Sequence, residues 1–427
     1  MSRLGSIILD VGPLRHDRDY RHLWLGQILA GFGRQVTIVA LPYQLYVLTG
    51  SPLAIGGLAL VQLVPLLVFS LIGGSVADAV DRRRLLLVVQ TMMALTSGVL
   101  VALAVSGDPP VWALYLVAFA SASFSAFDQP ARSSAVPRLV PRERLAAAIA
   151  LNYAAFTGAS IAGPLVGGIL IGVASLPVTY AVETLMFAGS LVMLLTIAPI
   201  PPLREAARPS VAAVAEGLRF ALARPILLST FAIDLVAMIF GMPQALFPVL
   251  ALDVFGAGAA GVGALAAAPA IGAFVAGLLT GWVGRVRYQG RAVIVAVVVW
   301  GLAITGFGLA TFSFPLALIF LAVAGGADMI SAIFRSTILQ ENTPDELRGR
   351  LSALNLMVVI GGPRLGDIES TAVAAAFGPV ASVVSGGLLC RAGVVAVARR
   401  FPQLSAYDAA AVRAGAVPSA LGASSVH

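Results

Sequence analysis

The apolar segments on either side of residues 73–84 constrain the fold more than any other feature of the sequence. Leu53 to Ala77 and Leu85 to Ser106 contain no charged residue. Each exceeds the roughly 20 apolar residues with which a helix crosses a bilayer. The short loop between them contains three consecutive arginines, Arg82 to Arg84. Because arginine-bearing short loops stay in the cytoplasm, the sequence predicts two membrane helices joined by a cytoplasmic turn.

The whole composition agrees with a chain that crosses the membrane many times. Hydrophobic residues make up 59% of the 427 residues and charged residues 11%, with a mean hydropathy of +0.96. Soluble proteins carry about 25% charged residues. The net charge of +7 would also suit a nucleic-acid-binding protein. All basic residues are arginines, however, and most fall in predicted cytoplasmic segments, a bias that sets membrane topology. We therefore expect no nucleic-acid partner.

Residues for cofactor or metal chemistry are scarce. Cys390 is the one cysteine and lies in an apolar segment, while the three histidines lie in tails or at the edge of a span. Without lysine, no Gly-x4-Gly-Lys-Ser/Thr nucleotide loop can be present. No loop is large enough for a catalytic site. The sequence predicts no catalytic residue, metal site or cofactor, and the chain is not expected to be an enzyme.

The apolar segments predict an all-α membrane protein with 12 transmembrane helices in two six-helix bundles. Residues 211–223 have amphipathic spacing and are expected to form a helix on the membrane surface, with a flexible linker as the alternative. Both termini are then cytoplasmic. The predicted organisation is a tail over residues 1–21, a first bundle over 22–198, a linker over 199–225, a second bundle over 226–400 and a disordered cytoplasmic tail over 401–427.

An internal repeat supports two matching halves. A shift of 203 residues superposes Arg132 on Arg335, Pro141 on Pro344, and Ala150-Leu151-Asn152 on Ala353-Leu354-Asn355. The matches cluster at the end of span four and the start of span five, with their counterparts in spans ten and eleven. Transporters are often built from such repeats, with the substrate near the middle of the membrane.

The loop between spans two and three resembles a signature of the major facilitator superfamily, Gly-x-x-x-Asp-(basic)-x-Gly-(basic)-(basic). Gly74, Asp78, Arg82 and Arg83 match, whereas Ala79 and Asp81 depart from it. Further segments are similar to the branch that contains bacterial enterobactin exporters: Ala40-Leu41-Pro42, Leu48-Thr49-Gly50-Ser51 and Gly241-Met242-Pro243. The resemblance implies transport by alternating access.

The resemblance also implies a cytoplasmic gate of charged residues that holds the outward-open state. Simple anchoring at the membrane interface is the alternative. The gate candidates are Gly74, Asp78, Arg82, Arg83, Asp128, Arg132 and Arg335.

Span five contains small residues at spacings that form a flat helix face, together with a proline that permits a bend. The pattern resembles a motif of proton-coupled drug antiporters in the superfamily, and ordinary close helix packing is the alternative. Its residues are Gly158, Gly163, Pro164, Gly167 and Gly168.

Charged residues within spans are costly and usually functional. Desolvation favours the neutral form of a buried carboxyl, so that Asp234, Glu183 and Asp328 are candidates for proton coupling. For Asp234, the first choice, the alternative is a structural ion pair with Arg34. The candidates for the substrate cavity are Arg34, Arg364 and Asp367.

The stretch around Arg364 leaves a further choice open. Gly361, Gly362, Pro363 and Gly366 suggest a locally broken helix that lines a cavity. Arg364 and Asp367, three residues apart, can equally form a local structural ion pair.

These observations favour a secondary transporter that exports a siderophore or drug-like compound in exchange for protons. The expected partners are the substrate, protons and lipid, in a monomer of a bacterial inner membrane. A sensor or scaffold that resembles a transporter without transporting is the alternative, but it gives no reason for charges inside the spans.

Overall fold

A computed structural model describes residues 10–202 and 211–413; within these ranges the side chains of 70–75, 77–78, 211–215, 345–346, 353 and 412–413 are not described. The described residues form helices and no strand. The helices are α1 Gly12–His16, α2 Arg18–Thr49, α3 Pro52–Ala79, α4 Arg82–Val105, α5 Val111–Leu139, α6 Leu145–Val173, α7 Leu176–Leu195, α8 Val211–Leu222, α9 Pro225–Phe240, α10 Phe247–Val249, α11 Gly258–Leu278, α12 Gln289–Leu309, α13 Phe314–Glu341, α14 Asp345–Phe377, α15 Pro379–Arg400, α16 Pro402–Ser405 and α17 Ala409–Arg413.

Ten segments of the described chain are long and apolar enough to cross a membrane. The helices α2 and α14 are longer still, at 32 and 33 residues, but charged residues interrupt their apolar character: Arg34 in α2, and Arg364 and Asp367 in α14. The predicted all-α membrane fold is confirmed.

The chain forms two compact units. Unit 1 comprises Met1–Gly50, Leu60–Pro209 and Gly256–Ala267, and unit 2 comprises Ser51–Ala59, Ser210–Phe255 and Ala268–His427. In unit 1, α2 packs against α6 and α7, and α4 packs against α5 and α7. In unit 2, α12 packs against α13 and α15, and α14 packs against α9.

Polar contacts fix the N-terminal end of α2 within unit 1. The buried Tyr20 hydroxyl donates to the carbonyl of Ala148 at 2.8 Å, and Trp24 Nε1 donates to the carbonyl of Leu151 at 3.1 Å. Asp17 forms an ion pair with Arg144 at 3.1 Å. These bonds satisfy the polar ends of side chains whose rings are packed in the core, so that α2 has a defined register against α6.

The arginine-rich loop ties α4 to the end of α7. The carboxylate of Asp81 accepts a hydrogen bond from the backbone amide of Arg84 at 3.0 Å and caps the start of α4. Arg82 donates to the carbonyl of Pro201 at 3.0 Å. Arg83 donates to the carbonyl of Leu195 at 2.7 Å, in the last turn of α7. Such arginines satisfy carbonyl groups that a helix C-terminus leaves without partners.

The structure differs from the sequence prediction in where a helix is interrupted. In the seventh span, α9 ends at Phe240 and helical structure resumes after Pro243. Span eleven, predicted to break around Pro363, is continuous in α14. Its glycines serve a close approach instead, because a Cβ on Gly366 would lie 2.4 Å from the carbonyl oxygen of Met238.

The tail predicted to be disordered from residue 401 is ordered over part of its length. Helices α16 and α17 cover 402–405 and 409–413, while residues 414–427 lie outside the described residues. Leu404 is fully buried, and Arg287 Nε donates to Asp408 at 2.7 Å. Burial disfavours the ionised form of Asp408, but the hydrogen bonds from Arg287 and two backbone amides outweigh it, so the pKa of Asp408 lies below its usual value. Apolar contact and an ion pair thus dock this segment on unit 2.

The predicted amphipathic helix is present as α8, which packs against α14 in unit 2. Glu216 forms an ion pair with Arg350 of α14, and a Cβ on Gly217 would lie 3.1 Å from the Cβ of Arg350. The described contacts of α8 are therefore with a neighbouring helix of unit 2.

Candidate functional site

Unit 1 holds a buried charge cluster around Asp128 of α5, whose side chain is 1% exposed. Arg132 follows one helical turn later, and its Nε donates to the two carboxylate oxygens at 2.9 and 3.0 Å. Gln90 of α4 donates to Asp128 at 2.9 Å, and Arg34 of α2 forms a further ion pair with it. Two guanidinium groups therefore share one carboxylate.

The two arginines of this cluster differ in their surroundings. The side chain of Arg132 is 2% exposed and bound through Nε, whereas that of Arg34 is 29% exposed and bound through Nη1. Arg132 is held on its own helix by the four-residue spacing. Arg34 reaches Asp128 from a different helix, so its contact depends on how α2 packs.

Glu183 of α7 is the second buried acid of unit 1, and the residue is 3% exposed. Its Oε1 accepts a hydrogen bond from the hydroxyl of Thr37, and its Oε2 has no hydrogen-bond partner in the described part of the chain. Within that part, no cationic side chain forms an ion pair with it. An ionised carboxylate that is buried among hydroxyl groups without a cation is costly, which favours a bound proton.

A glycine on α2 makes room for this carboxyl group. A Cβ on Gly33 would lie 3.5 Å from Cγ of Glu183 and 3.4 Å from Cζ of Phe187. Glu183 therefore packs against the segment of α2 from Gly33 to Thr37. One turn earlier on α7, the hydroxyl of Tyr180 donates to Gln44 at 2.8 Å.

Unit 2 contains a cluster with the opposite balance of charge. Asp234 of α9 forms an ion pair with Arg335 of α13, and Asp328 lies 3.6 Å from the same guanidinium group. Two carboxylates therefore share one arginine. The structural ion pair that was the alternative for Asp234 has Arg335 as its partner.

Arg364 and Asp367 form the predicted local ion pair at 3.3 Å on α14. Asp367 also accepts a hydrogen bond from the backbone amide of Ala245 at 3.0 Å, in the segment that follows the break after α9. This second hydrogen bond gives Asp367 a structural role, because it satisfies a backbone amide that has no helical partner where the helix is interrupted. A role of either residue in substrate binding stays a prediction.

The structure tests the predicted gate only in part. The side chains of Gly74 and Asp78 lie outside the described residues. Asp128 and Arg132 share a helix face as predicted, while Arg82 and Arg83 bind carbonyl groups at the end of α7 and beyond it. Gating by these residues stays a prediction.

The glycines predicted on span five allow close helix packing within unit 1. A Cβ on Gly163 would lie 2.4 Å from the Cβ of Gln35, one on Gly167 would lie 3.2 Å from Cα of Val36, and one on Gly168 would lie 2.6 Å from the carbonyl oxygen of Ala259. Gly158 has no such neighbour within 4 Å, and Pro164 lies inside a continuous α6. The packing is observed, and the antiporter role of the motif stays a prediction.

Sequence reasoning missed three residues that define the surroundings of the buried acids: Gly33, Thr37 and Gln90. Gln90 gave a signal, as the one amide side chain in the uncharged span three. Thr37 lies three residues after Arg34 and so shares its side of the helix. Neither signal identifies the buried acid that the residue contacts, because that acid lies on another helix.

A sequence comparison identifies the family. Residues 9–421 match the family described as transmembrane secretion effector, within the major facilitator superfamily. The chain belongs to this family. The predicted recognition is confirmed, and the chain is a multi-pass membrane transporter of the major facilitator type and not an enzyme.

Relatives of known function agree with this assignment. The chain is 26% identical over 413 residues to the enterobactin exporter EntS of Shigella boydii serotype 18, and to that of Escherichia coli O1:K1 / APEC. Each alignment covers 94% of this chain and 99% of the relative.

Solved structures show the same fold at low identity. The nucleoside transporter NupG matches with a TM-score of 0.73 at 15% identity, over 90% of this chain and 98% of that one. A POT family transporter in complex with 5-aminolevulinic acid matches with a TM-score of 0.73 at 12% identity, over 94% and 99%. At these identities the likeness concerns the fold alone.

Proposed function

We propose that this transporter exports a small organic molecule, of the siderophore or drug-like class, in exchange for protons by alternating access. The observation that carries the proposal is the environment of Glu183, a buried carboxyl group that accepts a hydrogen bond from Thr37 and has no ion-pair partner among the described residues. Such a group is stable when protonated and unstable when ionised, unless a positive charge approaches it. This is the requirement for a site that binds and releases a proton during a transport cycle.

Glu183 replaces Asp234 as the leading candidate for proton coupling. Asp234 is paired with Arg335, and this arginine also approaches Asp328. A carboxylate that is neutralised by a guanidinium group has less reason to take up a proton. Asp234 and Asp328 together carry one charge more than Arg335 can balance, so this cluster is the second candidate.

The substrate class follows from the relatives and from two partly exposed arginines. The relatives named above are enterobactin exporters. Arg34 and Arg364 are each about one-third exposed and each bound to a buried carboxylate through Nη1. The planar guanidinium group has five donors, so donors remain for an anionic group. An anionic catecholate suits them better than a lipophilic cation.

We propose that the transporter resides in a bacterial inner membrane, as a monomer with both termini in the cytoplasm. The arginine bias of the predicted cytoplasmic segments supports this orientation. Labelling of single cysteines at residue 12 and residue 413, in a Cys390→Ala background, tests it: both must be protected in intact cells and react after permeabilisation.

The test of function is transport into proteoliposomes with an imposed pH gradient, using catecholate siderophores and lipophilic dyes as substrates. Glu183→Gln should abolish transport driven by the pH gradient while substrate–substrate counterflow persists, because glutamine mimics a permanently protonated carboxyl. Glu143→Gln, in the exposed turn before α6, is the matched control and should transport normally. Gradient-driven transport that survives Glu183→Gln would remove this residue from the coupling mechanism.

A further inference from the structure

The shared carboxylate in unit 1 has one arginine more than charge neutrality requires. Asp128 contacts Arg34 and Arg132 at the same time and also accepts a hydrogen bond from Gln90. If Arg34 departs, Asp128 keeps an ion pair with Arg132 through Nε and the bond from Gln90. Departure of Arg34 therefore avoids the large cost of leaving a buried carboxylate without a cation. Of the two arginines, Arg34 is the more exposed and is the one that can move.

Glu183 lies beside the same turn of α2. Thr37 lies three residues after Arg34 and donates a hydrogen bond to Glu183. Gly33 is the residue before Arg34, and a Cβ added there would lie 3.5 Å from Cγ of Glu183. Side chains three residues apart on a helix lie about 5–6 Å apart at Cβ. A long arginine side chain can cover this distance by changing rotamers, without a movement of the backbone.

Among the helices α2, α4 and α6, which pack against α7, Arg34 is the described cation that lies within a span and not at its start. Of the helices that pack against α7, α6 has no charged residue, and α4 has charged residues only at its start, Arg82 to Arg84. On α7 itself, the titratable neighbour is Tyr180, whose hydroxyl donates to Gln44. The facing groups are thus Thr37 and Arg34 from α2, Tyr180 from α7, and Ser97 of α4, which donates to the carbonyl of Tyr180 at 3.2 Å.

We propose that Arg34 is a mobile counterion that leaves Asp128 for Glu183 when Glu183 loses its proton, and returns when Glu183 is protonated again. Two arginines, Asp128 and an ionised Glu183 sum to zero charge. With Glu183 protonated they carry one excess positive charge, which Arg34 then shares with Asp128. The inference rests on the proposed function in that Glu183 carries the coupled proton. Arg34 acts as a positioning residue that couples this proton to the contact between α2 and α5.

The exchange predicts opposite effects of two substitutions on one titration. In purified protein, the infrared band of the protonated Glu183 carboxyl, identified by its loss in Glu183→Gln, is followed against pH. Arg34→Gln removes the cation that stabilises ionised Glu183, so the midpoint should rise by at least one pH unit. Asp128→Asn releases Arg34 from its competing partner, so the midpoint should fall.

Two further variants separate this exchange from a general disturbance. Arg34→Lys keeps the positive charge and should leave the midpoint closer to that of the wild type than Arg34→Gln does. Arg144→Gln, which removes the ion pair with Asp17 at the end of α2, should leave it unchanged. Shifts of Arg34→Gln and Asp128→Asn in the same direction, or no shift in either, would overturn the exchange while Glu183 remains the proton site. A Glu183 band that does not respond to pH would overturn both.

Discussion

The charge balance of the unit 2 cluster predicts an unequal response to the loss of its members. Arg335 is almost fully buried and contacts Asp234, and Asp328 lies 3.6 Å from its guanidinium group with 31% of its side chain exposed. Arg335→Met leaves two carboxylates near one another without a cation. Breaking a buried ion pair in this way costs about 3–5 kcal/mol.

Asp234→Asn should cost less than the loss of the arginine. Arg335 keeps Asp328 as a partner, and the asparagine amide still offers an acceptor to the guanidinium group. The expected loss is about 1–3 kcal/mol, the range for a disrupted charged hydrogen bond. The double variant Arg335→Met with Asp234→Asn should be more stable than Arg335→Met alone, because one of the two unpaired charges is gone.

Thermal unfolding of the detergent-solubilised protein measures this order. The expected sequence of stability is wild type, Asp234→Asn, the double variant, and Arg335→Met as the least stable. The coupling within this double-mutant cycle isolates the pairwise contribution. If Asp234→Asn were as destabilising as Arg335→Met, or if the double variant were the least stable, the idea of two acids sharing one arginine would be wrong.

Three further tests concern the packing of α6, the cap of α4 and the docking of the C-terminal segment. Gly163→Ala would place a Cβ 2.4 Å from the Cβ of Gln35 and should lower the free energy of unfolding by about 1–3 kcal/mol. Gly158→Ala, which has no such neighbour within 4 Å, is the control and should be neutral or stabilising. Equal melting temperatures of the two variants would refute the close approach at Gly163. Asp81→Ala removes the cap of α4 and should cost about 1 kcal/mol in thermal unfolding, and a melting temperature equal to the wild type would refute the capping role. Because the pKa of Asp408 is lowered in the folded chain, its ion pair should hold the C-terminal segment at neutral pH and be lost only below about pH 4. Asp408→Asn should therefore speed hydrogen exchange of the amides at 409–411 at pH 7, and exchange that is unchanged would show that apolar contact alone docks the segment.

The positions of most membrane helices could be predicted because apolar length and terminal signals agree. Helix α7, Leu176–Leu195, begins where Ser175 caps it in front of Pro177. The segment predicted over 85–106 is α4, whose start is fixed by the Asp81 cap. Here the local sequence carries the information, since both the apolar run and the cap lie in the helix itself.

Helix breaks could not be predicted in the same way, because glycine and proline serve two purposes. Around Pro363 they suggested an interruption, and the structure uses Gly362 and Gly366 for contact with Met238 of α9. The interruption lies at Gly241, where the sequence gave no stronger signal. The choice depends on which neighbour approaches the glycine, and that is a property of the packed unit.

Ion pairs also differ in how well the sequence predicts them. Pairs within one helix follow from spacing, as Arg132 with Asp128 and Arg364 with Asp367 do. Arg34 reaches Asp128 across 94 residues of sequence, and no local spacing indicates that partner. Glu183 was found as a candidate from its position in an apolar span, but its lack of a cation became visible only when the helices around it were in place.

Proton movement during substrate flux tests the central claim most directly. In lightly buffered proteoliposomes without an imposed pH gradient, an outward gradient of a transported substrate should drive protons in the opposite direction, seen as a pH change by an entrapped dye. This signal should vanish in Glu183→Gln, whose substrate counterflow remains. A Glu183→Gln transporter that still moves protons against substrate would contradict the account.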